Sequence, residues 1–195
     1  MLTLCIDTAY KYLTFAFIKD EQVLASISMP CFKRQSEELF VVLKQVFEDA
    51  NIERNEIDSI CISEGPGSYT GVRIAMSLAK TIGEIMPVDV YTISTLRLYA
   101  AGNPSTMVIM NARANRAYVG TYNQNEIIDE DRICELSDIH PMSYKIIGDG
   151  SLANQIDDFG NIAEAFLKTK PVWKKVDKIA YLVPKYLKES ESYLK

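Results

Sequence analysis

The stretch Ser63-Glu64-Gly65-Pro66-Gly67-Ser68-Tyr69-Thr70-Gly71-Val72-Arg73-Ile74 places three glycines and a proline between an apolar run and a helix-like sequence. Glycine adopts backbone angles that other residues avoid, and proline stiffens the bend. Ser68 or Thr70 can then cap the helix that follows. The pattern therefore predicts a strand, a tight loop and a helix, in that order.

The spacing of the glycines does not match a nucleotide-binding loop. A Walker loop needs a lysine followed by serine or threonine after its last glycine, but Val72 follows Gly71. The dinucleotide fingerprint is G-x-G-x-x-G, whereas Gly65, Gly67 and Gly71 are spaced G-x-G-x-x-x-G. A helix N-terminus behind glycines favours anions in general, so the loop is compatible with a ligand but does not imply one.

Regular elements are predicted on both sides of this loop. Before it we expect three strands in an antiparallel meander, a helix capped by Ser36, and a fourth strand: residues 2–7, 13–18, 23–29, 36–50 and 57–63. After it we expect a helix at 70–85, a strand at 88–92, a short helix at 94–101, strands at 107–110, 117–122 and 145–147, and helices at 161–167 and 176–187. This order predicts an α/β fold with mixed sheets covered by helices.

The turn residues Gly102-Asn103-Pro104 mark a domain boundary. We expect an N-terminal lobe over residues 1–102 and a smaller C-terminal lobe over residues 103–195. The closing helix of the second lobe is free to pack back on the first.

The composition is that of an ordinary soluble protein, with 48% hydrophobic and 24% charged residues. Acidic residues outnumber basic ones by 26 to 21, which argues against general nucleic-acid binding. From Glu164 onward, however, eight lysines accompany four acids, a charge pattern typical of a solvated helix face. The MLTLCID start lacks a basic leader, no apolar run is long enough to cross a membrane, and the four cysteines form no C-x-x-C pair. These features predict a cytoplasmic protein without disulfides.

The sequence lacks the side chains for several kinds of catalysis. His140 is the single histidine, so neither a zinc helix nor a paired-histidine iron site can be assembled. Asp7 and Thr8, at the end of the first strand, suit a phosphate-binding hairpin, but the following Ala9-Tyr10-Lys11-Tyr12 is bulky and has no glycine. We therefore expect no catalytic residue, no bound metal and no ATP hydrolysis, and we interpret Asp7 and Thr8 as a vestigial phosphate hairpin.

The two long helices beside the loop have broad apolar surfaces with only a narrow polar stripe. Such helices are usually covered from two sides, either by another layer of the same chain or by a partner helix. The residues favour neither alternative. If a partner covers them, its interface includes Leu39, Val42, Leu43, Val46, Val72, Arg73, Met76 and Ala79. In that case Ala79→Arg would leave the isolated chain folded and abolish its association.

Four motifs resemble the bacterial tRNA threonylcarbamoyladenosine biosynthesis protein TsaB family, also called YeaZ. They are LCIDT at residues 4–8, R-x-S-E at 34–37, GPGSYTGVRI at 65–74 and YTISTL at 91–96. The resemblance is specific over residues 1–97 and weaker beyond. The chain departs from the family pattern at Gln35, at Asn111-Ala112-Arg113 and at Arg116, where histidine, Asp-Ala-Arg and an acid are common in relatives.

This resemblance implies an actin-like ATPase fold, of the class that includes ribonuclease H, with two lobes and a reduced second lobe. It implies a non-catalytic subunit that pairs through its first two helices with TsaD, which transfers a threonylcarbamoyl group to adenosine 37 of tRNA. The ATPase TsaE joins that pair and TsaC supplies the threonylcarbamoyl-adenylate, so ATP and metal are expected on the partners and tRNA contact through the complex.

Two other hypotheses remain open. The chain alone could form a homodimer through the same apolar surface. It could also be a self-contained enzyme of the same fold, either peptidase-like or a small-molecule kinase. The single histidine argues against a metallopeptidase, and the bulky first hairpin argues against a kinase.

Overall fold

The structure is a computed structural model that describes residues 1–31 and 34–188. Its strands form two mixed sheets, and helices lie on both faces of the first sheet. The predicted α/β class with two mixed sheets covered by helices is therefore confirmed.

The first sheet has the strand order β10-β5-β4-β1-β2-β3. Strands β1 (Leu2–Asp7), β2 (Tyr12–Lys19) and β3 (Gln22–Pro30) form the predicted antiparallel meander. Strands β4 (Ser59–Ser63) and β5 (Asp89–Ile93) run parallel to β1 because a helix crosses over before each of them. The carboxyl ends of β1 and β4 therefore meet at one edge, where the glycine-rich loop begins.

Helices α1 (Gln35–Ala50) and α2 (Tyr69–Ile85) make those crossovers. Ser68 caps α2, since its hydroxyl oxygen accepts a hydrogen bond from the backbone N–H of Gly71 at 3.3 Å. The prediction that Ser36 caps α1 is wrong, because the helix begins one residue earlier and no side chain caps it. Arg34 holds the N-cap position and its guanidinium pairs instead with Glu38 in the first turn.

The second sheet has the order β8-β7-β6-β9 and follows a short helix, α3 (Thr95–Ala100). Strands β6 (Thr106–Arg113), β7 (Arg116–Asn123) and β9 (Lys145–Gly148) match the predicted segments. Strand β8 (Glu126–Glu135) has no counterpart in the prediction. Its sequence, EIIDEDRICE, is acidic and exposed along most of its length, so it lacks the alternating apolar signal of a half-buried strand.

Among the described residues, helix α4 (Ile162–Thr169) is followed by a mostly irregular segment. The predicted helix at 176–187 is wrong, because the described part of this stretch has one short 3₁₀ turn at Ile179–Tyr181 and no α-helix. Before that turn, β10 (Lys174–Lys175) joins the first sheet beside β5. Val176, Ile179 and Leu182 then pack on the core beneath α1 and α2. We call residues 174–188 the C-terminal strap.

Three groups of buried apolar side chains hold these layers together. One lies between the first sheet and the pair α1 and α2, and includes Leu4, Ile6 and Phe15. The second lies between the other face of that sheet, helices α3 and α4, and the second sheet. A third, smaller group covers the outer face of the second sheet. The order of layers is therefore helices, sheet, helices and sheet.

The packing of the strap on the first lobe can be tested at Leu182. Its side chain is 7% exposed, so Leu182→Ala should lower the free energy of unfolding by about 2 to 4 kcal/mol through lost burial and a residual cavity. Val183 beside it is 69% exposed, and Val183→Ala should change stability by less than about 0.5 kcal/mol. Urea denaturation measures both. Equal effects would mean that the strap is not anchored.

Candidate functional site

The glycine-rich loop packs directly against the hairpin that joins β1 to β2. A Cβ atom at Gly67 would overlap the carbonyl oxygen of Ala9, and one at Gly71 would overlap that of Thr8. The N–H of Ser68 donates a hydrogen bond to the same Ala9 oxygen at 2.7 Å. Only glycine allows this approach at the two positions, so the family motif loop (Gly65, Pro66, Gly67, Ser68, Tyr69, Thr70 and Gly71) holds the hairpin by backbone contact.

Asp7 lies fully buried where the loop meets the hairpin. Its carboxylate accepts hydrogen bonds from the Ser63 hydroxyl at 2.5 Å, the Ala9 N–H at 3.0 Å and the Tyr99 hydroxyl at 2.9 Å. Burial raises the pKa of this carboxyl, and the three donors oppose the shift. The Asp7 carboxylate, which would face a bound phosphate or magnesium ion, is therefore already hydrogen-bonded to donors of its own chain.

Thr8 is also engaged by the second long helix. Its hydroxyl donates to the carbonyl oxygen of Gly71 at 2.6 Å and accepts from the N–H of Ala75 at 3.2 Å. Gln35 closes the hairpin from the other side, because its side-chain amide donates to the carbonyl oxygen of Tyr10 at 3.0 Å. The polar groups of the hairpin are thus already hydrogen-bonded, and its backbone carbonyl groups face the loop.

Substitutions of Asp7 separate its structural use from a chemical one. Asp7→Ala leaves three buried donors without an acceptor, at about 1 to 3 kcal/mol each, so we expect a loss of at least about 3 kcal/mol. Asp7→Asn keeps one acceptor oxygen for the Ser63 hydroxyl and the Ala9 N–H, and it removes a buried charge. We therefore expect a smaller loss than for Asp7→Ala at neutral pH.

The wild type and Asp7→Asn should also differ in how their stability depends on pH. Because burial raises the folded-state pKa of Asp7 above its usual value of 3.8, the folded wild type binds this proton more tightly than the unfolded chain. Its stability relative to Asp7→Asn should therefore fall as the pH rises above 3.8. Urea titrations across the acid range measure this relative stability, and a wild type that gains stability relative to Asp7→Asn as the pH rises would contradict the assignment.

Gly67→Val is expected to damage folding or docking, not chemistry. The reason differs from the one that the sequence suggests, since Gly65 has a positive φ of 101° and Gly67 does not. At Gly67 the cause is steric, because the new side chain meets the Ala9 carbonyl. We expect a loss of stability of at least about 2 kcal/mol in a thermal or urea melt. A variant with wild-type stability would show that the hairpin can move away.

Most residues of the predicted partner interface lie in the core of the chain itself. Each of six residues is 6% exposed or less: Leu39, Val42, Val46, Val72, Met76 and Ala79. All of them except Val72 belong to the core between the helices and the first sheet. Leu43 is half-buried against the same core, and only Arg73 is exposed. The expectation that Ala79→Arg leaves the chain folded is therefore wrong, because Ala79 is fully buried and the substitution would place a charge there.

The outer sides of the same two helices carry exposed residues. Phe40 is 67% exposed and Val41 is 64% exposed, and both lie on α1. On α2, Arg73 donates a hydrogen bond to the hydroxyl of Tyr69 at 2.7 Å, and Ile85 at the helix end is 74% exposed. Among these exposed residues only Arg73 belongs to the predicted interface.

A cleft of about 890 Å³ separates the hairpin and loop from the second sheet. From the first lobe Tyr10, Lys11 and the segment 67–70 line it, and from the second lobe the turn between β6 and β7 does so. Lys188 of the C-terminal strap lies at the same cleft. Asn111 and Arg116 depart from the family pattern in sequence, whereas Arg113 belongs to it, and the fold brings the three together here.

Two buried carboxylates connect the lobes. Asp149 is 3% exposed and accepts hydrogen bonds from the Tyr10 hydroxyl, from Lys11 and from the N–H of Asn111. Burial, followed by the hydrogen bond to Asp149, raises the pKa of Tyr10 far above its usual value. The phenol therefore stays protonated and keeps donating.

Asp131 makes the corresponding connection at the other end of the second sheet. Its carboxylate accepts from Ser94 at the start of α3, from Tyr122 on β7 and, at 2.9 Å, from Lys185 of the C-terminal strap. Asp131 could not be singled out from the sequence because it belongs to the unpredicted strand β8. Asp149 could not be singled out because no local pattern marks a single carboxylate.

The described residues offer little else for catalysis. Among residues 1–31 and 34–188, no group of three or more His, Cys, Asp or Glu side chains could hold a metal ion. His140 lies exposed in a loop. No helix in that part of the chain is long and apolar enough to span a membrane.

Comparison with known proteins identifies the family to which the chain belongs. Residues 30–161 match the protein-family model described as TsaD: tRNA N6-adenosine threonylcarbamoyltransferase. Relatives named "tRNA threonylcarbamoyladenosine biosynthesis protein TsaB" include one from Buchnera aphidicola (27% identical, 65% of this chain) and one from Bacillus subtilis (29% identical, 63% of this chain). The chain belongs to this family, in its TsaB (YeaZ) branch. It spans 63% of the Buchnera relative and 55% of the Bacillus relative.

Solved YeaZ structures share the fold over nearly the whole chain. YeaZ from Pseudomonas aeruginosa superposes with a TM-score of 0.79 at 18% identity, covering 95% of this chain and 99% of that protein. A Pseudomonas aeruginosa protein described as similar to peptidase YEAZ gives a TM-score of 0.81 at 19% identity, covering 96% and 99%. At these identities the likeness concerns the fold. The chain therefore shares the YeaZ fold.

Proposed function

We propose that this chain is a non-catalytic subunit that binds and activates TsaD for threonylcarbamoyl transfer to adenosine 37 of tRNA. The observation that carries the proposal is the exposed apolar pair Phe40 and Val41 on a helix packed beside α2. Large side chains with two thirds of their surface in water are a feature of interaction sites when they lie together. The names of the TsaB relatives supply the pathway.

The geometry of the first hairpin supports a non-catalytic role. A magnesium site needs a carboxylate with free acceptor positions, whereas Asp7 accepts three hydrogen bonds from its own chain. In this proposal ATP and metal act on TsaD and TsaE, TsaC supplies the threonylcarbamoyl-adenylate, and tRNA is modified by the assembled complex. Alone, the chain pairs with a second copy through the same surface.

The partner surface can be tested with Phe40→Arg and Val41→Arg. Both positions are exposed, so each variant should keep the wild-type free energy of unfolding within about 0.5 kcal/mol. Each should weaken association with the TsaD of the same organism by at least tenfold, about 1.4 kcal/mol, because it places a charge in an apolar contact. Gel filtration, calorimetric titration and a reconstituted threonylcarbamoylation assay measure these effects.

Ile156→Arg is the matched control, since Ile156 is 89% exposed in the second lobe. It should retain full association and full activity. Unimpaired binding by both helix variants would exclude this face as the TsaD interface. Threonylcarbamoylation by TsaC, TsaD and TsaE in the absence of this chain would refute the activating role itself.

A further inference from the structure

The cleft between the lobes has a charge pattern opposite to that of the whole chain. The chain carries a net charge of −5, yet the described residues lining the cleft include Lys11, Arg113, Arg116 and Lys188 and no aspartate or glutamate. Lys11 is neutralised by Asp149, which it contacts directly. The other three cations come from the second lobe and from the C-terminal strap.

Among the described residues, the two arginines have no acidic counterpart. Within the described chain, no carboxylate lies within 4 Å of the guanidinium of Arg113 or Arg116. Both arginines line the same cleft as Lys188, and their charges add to burial in lowering the pKa of that lysine. The like charges of Arg113 and Arg116 repel each other, and an anion in the cleft would relieve this repulsion.

The fold fixes the positions of the arginines. Arg113 and Arg116 face each other across the turn between β6 and β7, and the backbone at Arg113, Ala114 and Asn115 is left-handed, with φ of 61°, 51° and 57°. Such angles are unfavourable for residues other than glycine and persist only where the surrounding structure enforces them. The backbone of the turn therefore holds both arginines at fixed positions beside the cleft.

Aromatic rings extend this cationic surface toward the first lobe. Tyr69, which lines the cleft, stacks on Tyr186 with 5.3 Å between ring centroids and 22° between ring planes. The guanidinium carbon of Arg73 lies 5.1 Å from the centroid of the Tyr69 ring. Cations beside exposed aromatic rings are the combination by which proteins bind single-stranded nucleic acid.

We propose that this cleft binds the phosphate backbone of an RNA loop, with Arg113 and Arg116 contacting phosphates. The choice of RNA rests on the proposed function in tRNA modification, whereas the preference for an anion rests on the cleft itself. Direct contact by this chain would add to whatever tRNA contact the partner subunits make.

The interior of the cleft favours a strand across its mouth over an enclosed small nucleotide. At the hairpin, the Ala9 and Thr8 carbonyl oxygens point at the glycines, and carbonyl oxygens repel phosphate. Arg113 is exposed and Arg116 is half-buried, so their charges lie toward solvent. A phosphate reaches them from outside without entering the hairpin.

The test is fluorescence anisotropy with a labelled tRNA anticodon stem-loop and the intact purified chain, from about 50 mM to about 200 mM salt. R113Q/R116Q should bind about tenfold more weakly at the lower salt, and the slope of log K against log salt should decrease by about 1.4, as expected for two lost single-strand phosphate contacts. The matched control is R54Q/R132Q, which removes the same charge from two exposed arginines outside the cleft. It should bind like the wild type.

Three outcomes would overturn the proposal. They are an absence of binding by the wild type, equal weakening in the two double variants, and displacement of the RNA by free ATP at micromolar concentration, which would indicate a nucleotide site. Thermal melts establish that R113Q/R116Q is folded, and R116Q alone serves if it is not. Association with TsaD is measured separately, so arginine-dependent RNA binding without TsaD association would refute only the proposed function. The reverse result would refute only this cleft.

Discussion

The contact between the glycine-rich loop and the first hairpin is the constraint on which the rest of the structure depends. Backbone meets backbone at Gly67 and Gly71, where any side chain would overlap a carbonyl oxygen of the hairpin. This contact fixes the start of α2 relative to β1 and lets Ser63 and Tyr99 reach Asp7. The strand, helix and following strand are then positioned as one unit, with the buried carboxylate at its centre.

Buried charge also joins the two lobes. Asp149 and Asp131 each collect donors from segments far apart in sequence, and both carboxylates are nearly inaccessible to water. A buried carboxylate is costly unless its acceptor positions are filled, so these residues favour the single arrangement in which all donors converge. The C-terminal strap takes part through Lys185, which helps to fix the path of a segment with little regular structure.

The molecule separates two kinds of surface. The outer side of α1 exposes apolar side chains, while its inner side packs on the core. The cleft between the lobes is lined by positive charges, although the chain as a whole is acidic. An apolar face suits a protein partner and a cationic cleft suits an anion. In a subunit proposed to serve a tRNA-modifying complex, the two surfaces can work without interfering with each other.

Sequence by itself determined most of the local structure. Three short β-prone runs separated by polar residues, the glycine and proline positions of the loop, and Ser68 as a cap led to the meander, the loop and α2. These signals lie within a few residues of each other. The family motifs identified the fold class for the same reason. Strand β8 escaped prediction since it is held by pairing with β7 and not by a buried apolar face of its own.

Tertiary structure alone decided which side of each helix is exposed. The apolar surfaces of α1 and α2 cover nearly the whole helix, so periodicity could not tell Val42, which is buried, from Val41, which is not. It also decided that residues 176–187 follow the first lobe as a strap and that Arg113, Arg116 and Lys188 meet at one cleft. Burial and charge clustering are properties of long-range packing, and no local pattern of residues encodes which distant segments will meet.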